Sequence, residues 1–150
     1  MSGSALTTLQ GAVELARAEN GLTVVSTVRA DGTVQASLVN AGIIAHPATG
    51  EQVLAFVTYG KVKLGNLRAR PALAATFRRG WQWATVEGDA ELAGPDDPAS
   101  WLGADGPRLL LRDIFTAAGG THDDWETYDE EMVRQRRTAV LIAPTRIYSN

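Results

Sequence analysis

The stretch Gly60-Lys61-Val62-Lys63-Leu64-Gly65-Asn66-Leu67-Arg68-Ala69-Arg70-Pro71 is the part of the sequence that decides the fold. It separates two apolar, strand-like runs at 53–58 and 72–77. A basic turn that opens a short helix between two strands suits an anionic group, because the unpaired N–H groups of a helix start and the neighbouring Lys side chains both attract negative charge. The stretch therefore predicts a binding site for the phosphate of a cofactor.

The charged residues are distributed unevenly along the chain. The net charge of −3 disfavours a nucleic-acid partner. Six acidic residues lie between 123 and 131, whereas residues 52–86 contain no acidic side chain. This acid-free basic belt predicts a local anion site, and its basic residues are Lys61, Lys63, Arg68, Arg70, Arg78 and Arg79.

Length and composition restrict the class of protein. With 150 residues, of which 45% are hydrophobic and 21% charged, the chain predicts a single domain, 1–150, with one core. The absence of cysteine excludes a thiol nucleophile, a disulfide framework and a zinc–thiolate site, and it fits a cytoplasmic protein. No apolar run reaches the roughly 20 residues of a membrane span, and the first residues lack a secretion signal, so we expect no membrane partner.

Alternating apolar residues and turn signals predict six strands. Asp31-Gly32 is a strong hairpin signal between the first two strands, and Pro71 ends the basic segment before the fourth. The predicted strands cover residues 22–29, 33–45, 51–58, 72–78, 81–92 and 136–148.

Helical periodicity predicts three segments in addition to the basic one. They are a helix over about 4–19 with Ser4 as its cap and Asn20-Gly21 at its end, a helix that starts at Asp96-Asp97-Pro98 and is interrupted around 103–107, and a helix over about 122–135 with Thr121 as its cap. Five hairpin-linked strands, a late sixth strand and few helices predict a mainly β (α+β) fold. We expect a six-stranded antiparallel barrel, closed by the last strand, with peripheral helices.

The order of these motifs resembles the split β-barrel superfamily of FMN-binding type, which includes pyridoxamine 5′-phosphate oxidase and the deazaflavin (F420)-dependent reductases. The resemblance covers roughly residues 7–148. It rests on Lys-x-x-Asn-Leu-Arg-x-x-Pro from Lys63 and on Gly-Trp-x-x-x-x-Val-Glu-Gly from Gly80. The later part of the chain is similar to the F420-binding branch in the run Ala118-Gly119-Gly120-Thr121-His122-Asp123-Asp124-Trp125-Glu126-Thr127-Tyr128, then at Met132, Arg136-Arg137 and Arg146-Ile147-Tyr148.

This resemblance implies an F420-dependent oxidoreductase that transfers hydride from the reduced cofactor to an unsaturated, small-molecule acceptor. It also implies a homodimer with cofactor sites at the interface. Two alternatives remain open: an FMN-binding oxidase or reductase on the same fold, and a non-catalytic protein that binds F420 or a planar ligand such as haem. The sequence contains no Gly-x-Ser-x-Gly, His-Glu-x-x-His or phosphate-binding Walker motif.

The resemblance assigns the cofactor's phosphate to the basic segment. Lys63 matches the phosphate-binding Lys of the family, and Lys61 takes the place of a second basic residue. Thr58 stands where relatives use a hydroxyl on the phosphate, and Asn66 lies near the cofactor. Gly65 departs from the pattern, since many relatives have a third basic residue there.

The resemblance assigns the cofactor's ring to the second strand and the start of the fifth. Backbone groups of a strand through Ser37, Leu38, Val39 and Asn40 can bond the pyrimidine edge of a flavin or deazaflavin. Ser37 and Asn40 cannot share a face of a regular strand, because successive side chains alternate. Trp81 matches an aromatic residue near the cofactor in relatives.

The remaining chemistry-bearing residues are interpreted as structural. We expect His122 to pack or hydrogen-bond locally at a helix start, because a metal site needs three or four convergent ligands and the only other histidine is His46. Tyr59 and Tyr128 have the chemistry of proton donors. Nothing in the sequence places either beside a substrate, so the catalytic residue is unknown.

Overall fold

The computed structural model describes residues 6–150, and six antiparallel strands form its centre. Each predicted strand is present within two residues of its expected ends. The strands are β1 (Leu22–Val28), β2 (Val34–Ala45), β3 (Gln52–Thr58), β4 (Ala72–Arg79), β5 (Gln82–Ala93) and β6 (Thr138–Ser149). They close into a barrel in the order β1-β2-β3-β6-β5-β4, so the late strand β6 fills the gap between β3 and β5 as expected.

Turn residues set the hairpins of the barrel. The β1–β2 hairpin turns at Asp31-Gly32, where the Asp31 carboxylate accepts hydrogen bonds from the backbone N–H and the hydroxyl of Thr33. Gly32 has a φ of 86°, a conformation that costs glycine little. These contacts explain why the local sequence predicts this turn correctly.

The helices lie outside the strands or at a barrel end. They are α1 (Leu9–Glu14), α2 (Lys61–Ala69), α3 (Gly106–Ala117) and α4 (Trp125–Arg134), with a 3-10 turn at Arg17–Glu19. The expected helix over 4–19 is present only in part: Leu9–Glu14 is helical, the 3-10 turn follows, and Ser4 lies outside the described residues. Asn20, with a φ of 56°, ends this segment as expected. Backbone bonds tighten to three-residue spacing at Leu15 and Ala16, which buries these two consecutive side chains together.

The expected helix start at Asp96-Asp97-Pro98 is also wrong. This segment forms turns, and α3 begins only at Gly106, with Pro107 in its first turn. The two carboxylates bond to distant side chains instead of capping a helix. Asp97 accepts a two-pronged bond from Arg68, and Asp96 accepts one from Arg136 at 2.6 Å. For the last helix, the N-cap is Asp124 instead of Thr121.

The apolar core has two layers, which meet at β3 and β6. One layer fills the barrel, where Leu54 and Phe56 of β3 face Val140 and Ile142 of β6. The other lies between the outer faces of the same strands and α3. Because both of its faces are covered, β3 is apolar at nearly every position. Among the helices of residues 6–150, none has the length and apolar character needed to cross a membrane.

Candidate functional site

Helix α2 closes one end of the barrel. It joins the end of β3 to the start of β4, and its side chains Leu64 and Leu67 belong to the core inside the barrel. Lys63 and Asn66 are buried on the same helix. The basic segment is therefore fixed in place by apolar packing, and its first turn lies beside Thr58, the last residue of β3.

Lys63 is a nearly buried cation without a carboxylate partner among residues 6–150. Its Nζ donates a hydrogen bond to Thr58 Oγ1 at 3.3 Å and lies 5.8 Å from the centre of the Phe56 ring. Burial lowers the pKa of the Lys63 ammonium, and the nearby positive charge of Arg137 lowers this pKa further. An ammonium has three donors, and Thr58 occupies one of them. This arrangement leaves Lys63 able to bind an anion.

Arg137 is the second cation at this place, and it was not among the predicted site residues, although Arg136-Arg137 belongs to the resemblance with the F420-binding branch. It directly precedes Thr138, which pairs with Thr58, so the β3–β6 register brings Arg137 beside Tyr59. The guanidinium lies 4.0 Å from the centre of the Tyr59 ring. Burial lowers the pKa of Arg137, and no carboxylate within residues 6–150 forms an ion pair with it. The sequence signal that could have predicted this position is that Arg137 directly precedes Thr138, the first residue of the strand that pairs with the end of β3.

The other two residues of the predicted phosphate site have different environments. Lys61 is exposed in the first turn of α2. Asn66 points inward, where its amide donates to Thr27 Oγ1 at 3.1 Å and accepts from Arg70. Asn66 therefore ties α2 to β1, while Lys61 is free to face solvent beside the start of the helix.

The predicted ring-binding strand has an unpaired edge next to this site. The β2–β3 register begins at Ala41, so the first half of β2 extends beyond the end of β3. The Ala41 N–H points to the β1 side of the strand, where it donates to the carbonyl of Gly21, the residue before β1. Because pairing alternates along an antiparallel ladder, the N–H and C=O groups of Ala36 and Leu38 point away from β1 toward this open edge. These backbone groups have no strand partner among the described residues on that side and are open to a ligand.

The side chains of the same strand divide between two faces. Ser37 and Val39 face the barrel interior, since Ser37 pairs with the core residue Val25 and Val39 is itself part of the core. The Ser37 Oγ is buried and has no hydrogen-bond partner among the described residues. Leu38 and Asn40 face outward. The strand therefore offers an outside ligand its backbone, Leu38 and Asn40.

Asn40 lines a cavity of about 520 Å³ outside the barrel. Its walls come from β2 and β3, the end of α3, the glycines that follow it, and α4. Arg137 stands at the same cavity, so one guanidinium adjoins both Lys63 and this space. The lining residues are Asn20, Asn40, Val57, Ile114, Phe115, Ala118, Gly119, Gly120, Thr121, Tyr128, Met132 and Arg137.

The aromatic residues near the cavity pack against one another. Phe115 lies 5.0 Å from Tyr128 and 6.1 Å from Trp125, measured between ring centres. The Tyr128 hydroxyl donates to the Leu111 carbonyl at 3.1 Å, and burial raises the pKa of Tyr128 to about 12. His122 joins this cluster, and its Nδ1 accepts from the Asp124 N–H at 3.0 Å. Both polar groups are thus engaged in holding α4.

Trp81 lies at the other end of the barrel from Lys63. It occupies the tip of the β4–β5 hairpin and is 94% exposed. At this end β5 pairs with the last residue of β6, Ser149, whereas Thr58 pairs with the first, Thr138. Within one protomer the structure therefore does not bring Trp81 to the other predicted site residues.

The basic belt is also divided between the two barrel ends. Arg78 and Arg79 belong to the hairpin tip with Trp81, where they contact Gly80 and Gln82. The charge of Arg68 is neutralised by Asp97, with Nη2–Oδ2 at 2.6 Å. The positive charge that remains near Thr58 comes from Lys61, Lys63 and Arg137.

Solved structures with a similar fold include flavin- and deazaflavin-related proteins, while no protein-family model matches the chain. A conserved hypothetical protein from Mycobacterium tuberculosis is 17% identical, with a TM-score of 0.66 over 95% of this chain and 83% of its own. An F420 reductase is 21% identical, with a TM-score of 0.56 over 84% and 87%. A pyridoxamine 5′-phosphate oxidase-related, FMN-binding protein from Nostoc punctiforme is 14% identical, with a TM-score of 0.59 over 93% and 80%.

These likenesses show the fold. The chain is a split β-barrel of the pyridoxamine 5′-phosphate oxidase-like type, and the expectation of a mainly β, six-stranded antiparallel barrel with peripheral helices is confirmed. Of these neighbours, one is described as an F420 reductase and another as FMN-binding.

Proposed function

We propose that the protein is an F420-dependent oxidoreductase that reduces an unsaturated organic acceptor. The observation that supports this most directly is Lys63, a buried cation beside the Thr58 hydroxyl and without a carboxylate partner among the described residues. Burying charge without a counterion destabilises a protein, so such a cation suits a place where an anionic ligand supplies the missing charge. A cofactor phosphate is such a ligand.

The residues present fit a phosphorylated deazaflavin. Lys63 and Thr58 would hold the phosphate, with Lys61 adding charge from the exposed first turn of α2. The open backbone edge at Ala36 and Leu38 would hold the polar edge of the ring. When bound and reduced, F420 supplies a hydride to the acceptor, while the chain orients both reactants and limits the access of water.

We further propose that the protein is a homodimer whose cofactor sites include residues of both copies. The outer face of β1 and β2 carries exposed apolar side chains, among them Val24, Val34 and Leu38, and exposed patches of this kind mark interfaces. Trp81, which lies far from Lys63 in one protomer, would then reach the site of the second copy. This arrangement would complete the set of residues that the sequence predicts.

Titration of the purified protein with F420 and, separately, with FMN tests the cofactor. We expect F420 to bind more tightly, and Lys63→Ala to weaken this binding by about 1.5–3 kcal/mol, the range for a hydrogen bond to a charged group. Arg17→Ala is the matched control and should leave the affinity unchanged, because Arg17 is exposed and pairs with Glu14 one turn away. Tight binding of FMN without affinity for F420 would instead support the FMN-binding oxidase or reductase.

Turnover separates an enzyme from a carrier. Reduced F420 is mixed with the protein and a panel of enones and quinones, and the oxidation of the cofactor is followed by its absorbance. Acceptor-dependent oxidation that Lys63→Ala suppresses supports the oxidoreductase. Tight binding without oxidation by any acceptor would support a non-catalytic F420-binding protein.

A further inference from the structure

The cavity beside Arg137 has the size of a small-molecule site and adjoins the predicted cofactor site at Asn40. Its volume of about 520 Å³ lies within the roughly 300–1,000 Å³ typical of ligand pockets. Val57, Ile114 and Met132 line it with apolar surface, and the rings of Phe115 and Tyr128 add aromatic surface. The hydrocarbon part of a ligand, including a planar ring, would fit against these side chains.

Two glycines at the cavity, Gly119 and Gly120, pack closely against Asn20 and Phe115. Gly119 has a φ of 97°, and a Cβ there would lie 3.0 Å from Asn20 Oδ1. A Cβ on Gly120 would lie 2.6 Å from the Phe115 ring. A side chain at Gly119 would be strained by this φ, and a side chain at Gly120 would displace the Phe115 ring, so the shape of the cavity depends on this Gly-Gly pair.

Arg137 gives this cavity its charge preference. Its guanidinium stacks on Tyr59, its Nε donates to Gln135 Oε1 at 2.8 Å, and no carboxylate within residues 6–150 neutralises it. The other polar groups of the lining are uncharged: Asn20, Asn40, Thr121 and the Tyr128 hydroxyl. A planar guanidinium fork matches a carboxylate in geometry as well as in charge.

We propose that this cavity binds a small, apolar organic carboxylate, with the carboxylate paired to Arg137 and the hydrocarbon part against Phe115 and Met132. The role of this ligand rests on the proposed function. If the protein is an F420-dependent oxidoreductase, the bound molecule is the electron acceptor, an unsaturated carboxylate. Its C=C bond would gain a hydride from the reduced cofactor and a proton from water, and the proton that the cofactor loses on oxidation would neutralise the hydroxide left from that water. The products are the saturated carboxylate and the oxidised cofactor. The specificity-determining residue is Arg137.

The test measures binding of trans-cinnamate and of its uncharged analogue cinnamamide to the cofactor-free protein by calorimetry. We expect cinnamate to bind at least about tenfold more tightly, because a charged hydrogen bond is worth about 1.5–3 kcal/mol. Arg137→Gln should remove this preference, and Arg137→Lys should restore part of it. Arg136→Gln is the matched control, since Arg136 is exposed and pairs with Asp96.

A second pair of variants tests the cavity itself. Met132→Trp would fill the space and abolish cinnamate binding, whereas Val133→Trp, on the exposed side of the same helix, would not. Equal affinity for cinnamate and cinnamamide, or cinnamate binding that survives both Arg137→Gln and Met132→Trp, would overturn the proposal.

The cofactor titration distinguishes failure here from failure of the proposed function. Lys63→Ala should weaken F420 binding and leave cinnamate binding to the cofactor-free protein intact. If the wild type binds cinnamate through Arg137 but does not bind F420, the proposed function fails and the carboxylate site stands. If it binds F420 but shows no preference for cinnamate, the carboxylate site fails alone.

Discussion

At the scale of single residues, Lys63 combines two opposing requirements. Its aliphatic stem belongs to a helix face that closes the barrel, while its ammonium remains without a carboxylate partner in the described part of the chain. An unneutralised buried charge lowers the stability of the ligand-free protein. We infer that part of the stability is given up at Lys63 to keep a cation available for an anion.

Replacing this cation with an apolar side chain should separate stability from binding. We expect Lys63→Met to raise the free energy of unfolding of the ligand-free protein by about 1 kcal/mol, while F420 binding weakens by about 1.5–3 kcal/mol. Lys61→Met is the control, because Lys61 is exposed and should leave the stability unchanged. Urea denaturation with and without F420 measures both effects. A destabilised Lys63→Met protein would show that the ammonium contributes favourably to the fold.

The lowered pKa of Lys63 gives two pH trends of opposite sign. Because burial lowers this pKa below 10.5, the folded protein binds fewer protons than the unfolded chain in the alkaline range, so the contribution of Lys63 to stability rises with pH there. The affinity for a phosphate should fall over the same range, since the ligand needs the protonated ammonium. F420 titrations and urea curves between pH 7 and 10 would show both trends in the wild type. Their persistence in Lys63→Met would assign them to another group.

At the scale of elements, the approach of α3 to β2 forms one wall of the cavity. Gly42 allows this approach, because a Cβ there would lie 2.4 Å from the Ala117 carbonyl carbon and 2.6 Å from the Ala118 nitrogen. The end of α3 places Phe115 and Gly119 at the cavity. The position of α3 therefore decides whether the cavity exists.

Two glycine substitutions should have opposite effects on stability. Gly42→Ala should lower the free energy of unfolding by about 1–3 kcal/mol, because backbone of α3 must move away. Gly65→Ala should raise it by about 0.5–1 kcal/mol, because Gly65 lies inside α2 with nothing within 4 Å of a built Cβ. Thermal unfolding measures both. Equal effects of the two substitutions would mean that α3 does not pack closely on β2.

At the scale of the whole molecule, the outer face of β1 and β2 is apolar, and no helix of residues 6–150 covers it. Val24 and Leu38 are cross-strand partners on this face, and Leu38 is 62% exposed. The helices cover other parts of the barrel: α3 packs on β2, β3 and β6 beyond Ala41. A second copy of the chain, as proposed, would bury this face.

A charge placed on this face tests the homodimer. We expect Val24→Glu to convert a dimer into a monomer, because the carboxylate would be desolvated at the interface. Val133→Glu, which replaces an exposed valine on α4, should leave the dimer intact. Light scattering after gel filtration gives the mass of each. A wild-type monomer, or a Val24→Glu protein that stays dimeric, would contradict the assignment of this face.

The sequence predicted those features that depend on neighbouring residues. The Asp31-Gly32 hairpin and the strand ends follow from local turn chemistry and alternation, and Pro71 limits α2. The helix start expected at Asp96-Asp97-Pro98 was wrong because this segment is fixed by contacts with residues distant in sequence. Capping residues are recognised by type alone, and these two carboxylates bond instead to Arg136 and Arg68, which are distant in sequence.

By itself, then, the sequence determined a six-stranded antiparallel barrel and a basic segment between its third and fourth strands. The tertiary structure decided which side chains lie together in one site. Arg137 comes to Lys63 through the β3–β6 register, Asn66 turns inward to Thr27, and Trp81 lies at the far barrel end. The physical reason is that local patterns fix the conformation of each element, whereas register and packing between elements fix which side chains share a site.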